Sequence, residues 1–181
     1  LMNLQAGQSF PGANNLLYLP YLLGERSPRW NSDARGVYFG LTIKHNRADI
    51  IRATLEGITF NLCVILNAFL EQGATVDAIR VIGGGAKGRL WRQIMANIYN
   101  KPILRPTLLA EATSLGAAIA GGIGIGFFKD YSIAESLTPI IETLTPDPEI
   151  HKKYETLYPL FNELYETLVP MYDKLASIQK I

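Results

Sequence analysis

The residues of this chain best suited to chemistry are the glycines and cations of Ile82-Gly83-Gly84-Gly85-Ala86-Lys87-Gly88-Arg89. A β-branched run, Ala78 to Ile82, leads into them, and Leu90, Trp91, Ile94, Met95 and Ile98 follow at helical spacing. The pattern is strand, tight loop, helix. At such a junction the first amide N–H groups of the helix lack intrahelical partners and carry the positive end of its dipole. Glycine lets an anion approach the backbone without meeting a Cβ, so a phosphate is the natural guest. Lys87 and Arg89 add positive charge beside it.

Gly83, Gly85 and Gly88 fit G-x-G-x-x-G, but no carboxylate follows at the end of the next strand, Lys101 to Pro106, where a dinucleotide fold holds its ribose. A P-loop is excluded because Arg89-Leu90 stands where Lys-Ser/Thr would follow the last glycine. The bland alternative is a strand-to-helix turn that uses glycine only for its backbone angles.

Other reactive residue types read as structural. Cys63, the single cysteine, lies inside an apolar helical pattern and reads as a buried thiol. His45 and His151 are far apart with no cysteine at ligand spacing, which argues against zinc. Glu25 and Arg26 abut the apolar run Leu16 to Leu23, and a structural ion pair or a hydrogen-bonded turn is expected of them. Glu56 lies mid-helix, off the apolar stripe, where a salt bridge or a cap to a neighbouring loop is expected.

The elements that position these groups follow from periodicity. Residues 1–15 read as an opening loop, and Val37 to Thr42 as a strand. Asn46 with Asp49 three residues on resembles a capping box, and Ile51, Leu55, Ile58, Leu62, Ile65 and Phe69 then form a single apolar stripe that ends at Gly73. Pro102 to Pro106 reads as a short, proline-limited strand at a sheet edge. Glu111 to Gly121 is a helix of small residues, suited to tight helix packing or to a flat ligand such as a nucleotide base near its start. From residue 147 to 181 the chain is a tyrosine-rich helix with an 11-residue repeat, Tyr154-Glu155-Thr156-Leu157-Tyr158-Pro159 recurring as Tyr165-Glu166-Thr167-Leu168-Val169-Pro170. Eleven residues are close to three helical turns, so both copies return to one face, in a helix bent at its two prolines.

With 181 residues, the chain has room for one domain with a real core, or for part of something larger, and Leu1 before Met2 reads as a truncated or engineered start. A hydrophobic share of 48% with net charge +1 calls for neither nucleic acid nor an anionic membrane. The opening residues lack a signal peptide's basic start and apolar core. The uncharged run from Ala112 to Phe128 is interrupted by five glycines and is too short for a membrane span. A cytoplasmic protein is therefore expected.

Taken together the motifs resemble the sugar kinases of the FGGY family, those acting on xylulose most of all. Gly36-Val37-Tyr38-Phe39-Gly40-Leu41, Asp49-Ile50 and Ala53-Thr54-Leu55-Glu56 are similar to that family's second signature, at its spacing. Leu19 to Pro28 resembles the segment that precedes it in the xylulose and gluconate kinases. Ile82 to Lys87 resembles the adenosine-phosphate loop, and Glu111 to Ala118 the helix start after it. The likeness runs from about Leu16 into the C-terminal helix.

The resemblance implies an incomplete α/β domain of the actin-like ATPase, or ribonuclease H-like, fold, with a mixed sheet flanked by helices. Residues 1–181 would be the C-terminal nucleotide-binding domain, begun partway in. It implies ATP with Mg²⁺ as cofactors, Gly84, Gly85 and Ala86 approaching the α-phosphate and ribose through their backbone, and Lys87 and Arg89 lining the rim. In some relatives an asparagine that contacts the base stands at the position of Arg89. The family's catalytic aspartate, N-terminal phosphate loop and Gly-Thr segment have no counterpart here. The sugar would then be bound mainly by an N-terminal domain, and this chain alone would be inactive. D-xylulose is the expected substrate and D-xylulose 5-phosphate the product; gluconate or another sugar, or a non-catalytic nucleotide-binding module, are the alternatives. A homodimer is compatible with this reading.

Overall fold

The computed structural model describes residues 2–179. Its axis is helix α2, Arg47–Glu71, which begins on the capping box anticipated from sequence. The Asn46 side chain accepts the Ala48 N–H at 2.7 Å, and Asp49 accepts the Asn46 N–H at 2.9 Å. Two of the helix's orphan donors are satisfied in this way, worth about 1 kcal/mol.

The buried face of α2 departs from the single stripe expected. Ile51 and Leu55 are buried, but Leu62 is 41% and Phe69 61% exposed. The covered face instead carries Asp49, Arg52, Ala53, Glu56, Gly57, Thr59, Phe60 and Cys63. The cause is strand β1, Leu17–Leu19, which crosses the helix at Gly57. A Cβ there would overlap the Tyr18 carbonyl oxygen, so only glycine admits this approach. β1 pairs antiparallel with β2, Val37–Phe39, and Tyr18 stacks on Tyr38 with ring centroids 4.4 Å apart.

Residues 1–15 are more than the opening loop read from composition. Met2–Ala6 form a helix, α1, with Ala6 fully buried. Gly12, Ala13, Asn14 and Asn15 then run through the left-handed region, with φ of 82°, 46°, 54° and 66°. Such a turn costs about 1 kcal/mol or more per non-glycine residue. Buried carboxylates of α2 hold it: Glu56 accepts the Gly12 N–H at 3.0 Å, and Asp49 accepts Asn14 Nδ2 at 2.8 Å and the Ser9 hydroxyl at 2.6 Å.

Beyond α2 lies a three-stranded mixed sheet in the order β3 (Ile79–Arg80), β4 (Ile103–Pro106), β5 (Ile140–Leu144). β3 and β4 are parallel, and β4 and β5 antiparallel. β4 is therefore central among the described strands, not the edge strand its prolines suggested. Pro102 precedes the strand and Pro106 sits at a register irregularity at its end, so Ile103 and Leu104 between them pair on both sides. Helix α3, Arg89–Tyr99, connects β3 to β4. Helices α4, Ala112–Gly124, and α5, Ile133–Leu137, lie between β4 and β5.

The chain closes with α6, Pro148–Gln179, one helix with Pro159 and Pro170 inside it. The repeat does what its spacing demands: Tyr154 and Tyr165 are buried, and both prolines face solvent. The main core joins Leu17, Leu19, Phe60, Ile94, Tyr154 and Phe161. Each large side chain in it adds about 2 kcal/mol on burial. Among the described helices, α2 alone has the length and apolar composition of a membrane span, and it lies within the fold against β1, α3 and α6. The run at 112–128 that drew attention in the sequence yields only the 13-residue α4.

Candidate functional site at the glycine corner

β3 hands the chain to α3 through residues 81–88. Gly83 turns it with φ 78° and donates its N–H to Leu109 O at 2.9 Å, tying the corner to the segment before α4. A short 3-10 turn, Gly85–Lys87, follows, with Ala86 N–H donated to Gly83 O and Lys87 N–H to Gly84 O, each at 3.2 Å. The N–H groups of Gly84 and Gly85 have no backbone acceptor among the described residues. Nothing lies within 4 Å of where a Cβ on Gly84 would be. Gly88 precedes α3 without a capping side chain, and Arg92 N–H returns to Gly88 O at 3.2 Å, so the amides of residues 89 to 91 have no intrahelical acceptor. Asn3 of α1 rests against Gly88.

The corner has a floor. A Cβ on Gly85 would stand 3.0 Å from the Trp91 ring, and Trp91 Nε1 donates to Thr59 Oγ1 of α2 at 3.0 Å. Arg92 lies beneath it, its side chain 3% exposed, donating to the Ala86 carbonyl and to the Glu142 carboxylate on β5. Glu142 also accepts Arg89 Nε at 3.2 Å and has Arg105 at 4.0 Å.

Of the residues singled out in the sequence, Gly84 and Lys87 are exposed at the corner, Gly85 is partly covered by Trp91, and Arg89 is at the rim with its side chain 72% exposed. Ala86 is corrected. It is 1% exposed, its N–H and carbonyl are both engaged inside the protein, and it offers no backbone to a ligand. Its part is to hold the turn.

A cavity of about 150 Å³ adjoins the corner, lined by Ile82 and Arg80 of the β3 side, Leu108, and Ala112, Leu115 and Gly116 at the start of α4. The small residues of α4 border this space and open solvent. No atom lies within 4 Å of a Cβ built on Gly116, Gly121 or Gly124, so the tight helix packing expected of them is absent from the described residues. A groove of about 580 Å³ between the β1–β2 pair and α6 is larger, but its walls, Leu17, Phe39, Leu157, Leu160 and Leu164 among them, are mainly apolar and have little to offer a phosphate.

The remaining candidates resolve into structure. Glu25 accepts the N–H groups of Ser27, Arg29 and Trp30 at 2.9, 2.9 and 3.0 Å, a hydrogen-bonded turn, and Arg26 makes no ion pair among the described residues. Glu56 accepts Arg52 Nε at 2.7 Å and the Tyr154 hydroxyl at 2.6 Å. Burial pushes its carboxyl above the ordinary value, while Arg52, Tyr154 and the Gly12 N–H pull it back. Burial also pushes the Cys63 thiol up to about 11, against a hydrogen bond from Tyr158, which leaves it unreactive at neutral pH. No cluster of three or more His, Cys, Asp or Glu suited to a metal occurs among the described residues.

Sequence reasoning missed Arg92, Glu142, Trp91's role as floor, and all of α5 and β5. The signal for β5 was present: Ile140-Ile141-Glu142-Thr143-Leu144 is a β-branched run between Pro139 and Pro146.

Comparison with known proteins bears on the same residues. The model for the C-terminal domain of the FGGY family of carbohydrate kinases matches residues 1–125. The chain is 38% identical over 165 residues to the xylulose kinase of Staphylococcus epidermidis, covering 91% of the chain and 33% of that protein. It is 36% identical over 171 residues to the gluconokinase of Bacillus subtilis, covering 94% of the chain and 33% of that protein. The crystal structure of ligand-bound xylulose kinase from Lactobacillus acidophilus superposes with TM-score 0.87 at 32% identity, over 96% of this chain and 35% of that one. The chain spans about a third of the length of the curated relatives it matches.

Proposed function

The chain belongs to the FGGY family of carbohydrate kinases, and we propose that it is the nucleotide-binding half of a sugar kinase that moves the terminal phosphoryl group of ATP onto a hydroxyl of D-xylulose, giving D-xylulose 5-phosphate. The carrying observation is the pair of amides at Gly84 and Gly85 that have no backbone acceptor among the described residues, on an open corner beside a cavity of about 150 Å³. In this reading residues 1–181 are the C-terminal domain of an actin-like, two-domain enzyme that works in the cytoplasm, where its ATP is.

Phosphoryl transfer asks little covalent work of a protein; it needs donor and acceptor held in line and the charge on the phosphates balanced. The Gly84 and Gly85 N–H groups donate to phosphate oxygens, backed by the dipole of α3. Lys87 and Arg89 supply mobile positive charge at the rim. The cavity at the start of α4, apolar on most sides, receives the base. Mg²⁺ bound to the nucleotide adds charge neutralisation when present. Among the described residues no cluster of three or more acidic or metal-ligating side chains suited to a cation occurs. The base that takes the sugar's proton, and most of the sugar pocket, come from the N-terminal part of the enzyme.

Gluconate is the second substrate reading, favoured by the near-equal identity to a gluconokinase. Calorimetric titration of the chain with ADP tests the nucleotide half: saturable binding is expected, and none overturns it. Incubation with ATP, Mg²⁺ and D-xylulose is expected to yield no sugar phosphate; turnover by this chain would show that the base lies within it.

A further inference from the structure

The glycine corner has little stiffness of its own. Five of the residues from Gly83 to Arg89 lack a side chain beyond Cβ, and fixing each backbone costs about 1 to 2 kcal/mol. A phosphate site needs its amides fixed before the ligand arrives. Something outside the loop must therefore hold it: the Leu109 carbonyl ties its start at Gly83, and a buried side chain reaches the turn itself from below.

Arg92 is that side chain. Its guanidinium is buried, joined on one side to the Ala86 carbonyl inside the turn and on the other to the Glu142 carboxylate on β5. Burying a guanidinium is costly unless it is fully paired, and Arg92 Nε has no partner among the described residues. Stability alone gives no reason to keep an incompletely satisfied charge there. Position does: pinning the Ala86 carbonyl fixes the Ala86–Lys87 peptide, whose N–H is donated to Gly84 O at 3.2 Å. The inner side of the turn is thus committed to the protein, and the Gly84 and Gly85 amides are left to face outward. A planar guanidinium spans two acceptors in a fixed fork; a lysine ammonium is a point charge on a flexible stem.

We infer that Arg92 is the positioning residue of the glycine corner and that Glu142 is its anchor, so that β5, a strand outside the corner, sets how tightly this chain binds a nucleotide. The inference rests on the reading of the corner as a nucleotide site. Glu142 has a second duty, because it also holds Arg89 at the rim. The corner's floor and its mobile cation therefore share one carboxylate.

The test compares the parent chain with R92M, R92K, E142Q and a core control, L16A, in the buried cluster that Leu16 forms with Ala13, Tyr18 and Ala53, away from the corner. Three readouts are taken: the thermal midpoint, ADP affinity by calorimetry, and the ¹H–¹⁵N positions of Gly84, Gly85 and Lys87. Loss of a charge-assisted bond corresponds to about a tenfold change or more. R92M and R92K are both expected to weaken ADP at least that much and to shift the three amides, with E142Q between them and the parent. L16A is expected to lower the midpoint while leaving affinity and amides unchanged. If R92K, folded, binds ADP as the parent does with its corner amides unmoved, the inference is overturned. If the parent itself binds no ADP, the nucleotide reading fails, and the amide shifts alone decide whether Arg92 holds the corner.

Discussion

Tyr154 donates its hydroxyl to Glu56 at 2.6 Å across 98 residues of sequence. Around that bond three parts of the chain meet: the left-handed turn through Gly12, the buried face of α2 with Arg52, and α6. Within the left-handed turn Ala13 packs with Leu16, Tyr18 and Ala53, and Glu56 and Asp49 hold the turn from the helix below.

Replacing Glu56 with Gln leaves Arg52 charged and buried without its counter-charge, beside only the neutral Ser9 carbonyl and Tyr154 hydroxyl. A loss of about 3 kcal/mol in urea unfolding is expected, and Tyr154→Phe, which removes one donor, should cost about 1 kcal/mol. Replacing Arg52 and Glu56 together by Met and Leu should recover much of the loss. If E56Q melts as the parent does, the network contributes no stability.

Asp49 gives a pH signature. Burial alone would raise its carboxyl, but the Ser9 hydroxyl, the Asn46 N–H and the Asn14 amide hold it below its ordinary value. A lowered carboxyl stabilises the fold fully above the unfolded value, about 3.9, and that contribution is lost as pH falls through the lower folded value. The stability advantage of the parent over D49N should therefore be constant from neutral pH down to about 5 and shrink below about 4. Parallel stability curves through the acid range would contradict this.

Gly57 is expected to be intolerant. With the Tyr18 carbonyl oxygen where its Cβ would go, Gly57→Ala must push β1 off α2, and a cost of about 3 kcal/mol is expected in urea unfolding. An unchanged midpoint would mean the strand yields without cost.

The two central glycines of the corner separate binding from stability. Gly84 has helical angles, φ −62° and ψ −39°, and open space around it, so Gly84→Val should leave the melt within about 0.5 kcal/mol of the parent and weaken ADP about tenfold or more. Gly85→Val meets the Trp91 ring and should lower both stability and affinity. Equal ADP affinity for G84V and the parent would remove the phosphate from this corner.

What sequence could tell and what it could not divide along the range of the interactions. The Asn46–Asp49 box, the strand-loop-helix of the glycine corner and the repeat of α6 are each written within about twenty consecutive residues, and each formed as its spacing implied. The central position of β4 depends on β5, and the Arg92–Glu142 pair spans 50 residues. Neither residue carries a local mark of its partner. The apolar stripe of α2 misled because burial there is decided by where β1 crosses at Gly57, and Leu62 and Phe69 lie beyond that crossing. Ala86 misled for a similar reason: its place in a glycine run suggested exposure, and only Arg92 explains why it is inside.

Pro159 and Pro170 deny N–H donors to the carbonyls one turn back, those of Glu155 and Glu166. All four residues lie on the wet side of α6, where water can stand in for the missing donors. A proline every eleven residues is thus a cheap interruption. The same interval that returns each tyrosine to the interior keeps each helix breaker outdoors, and a shift of the prolines by two positions would carry the defect into the core.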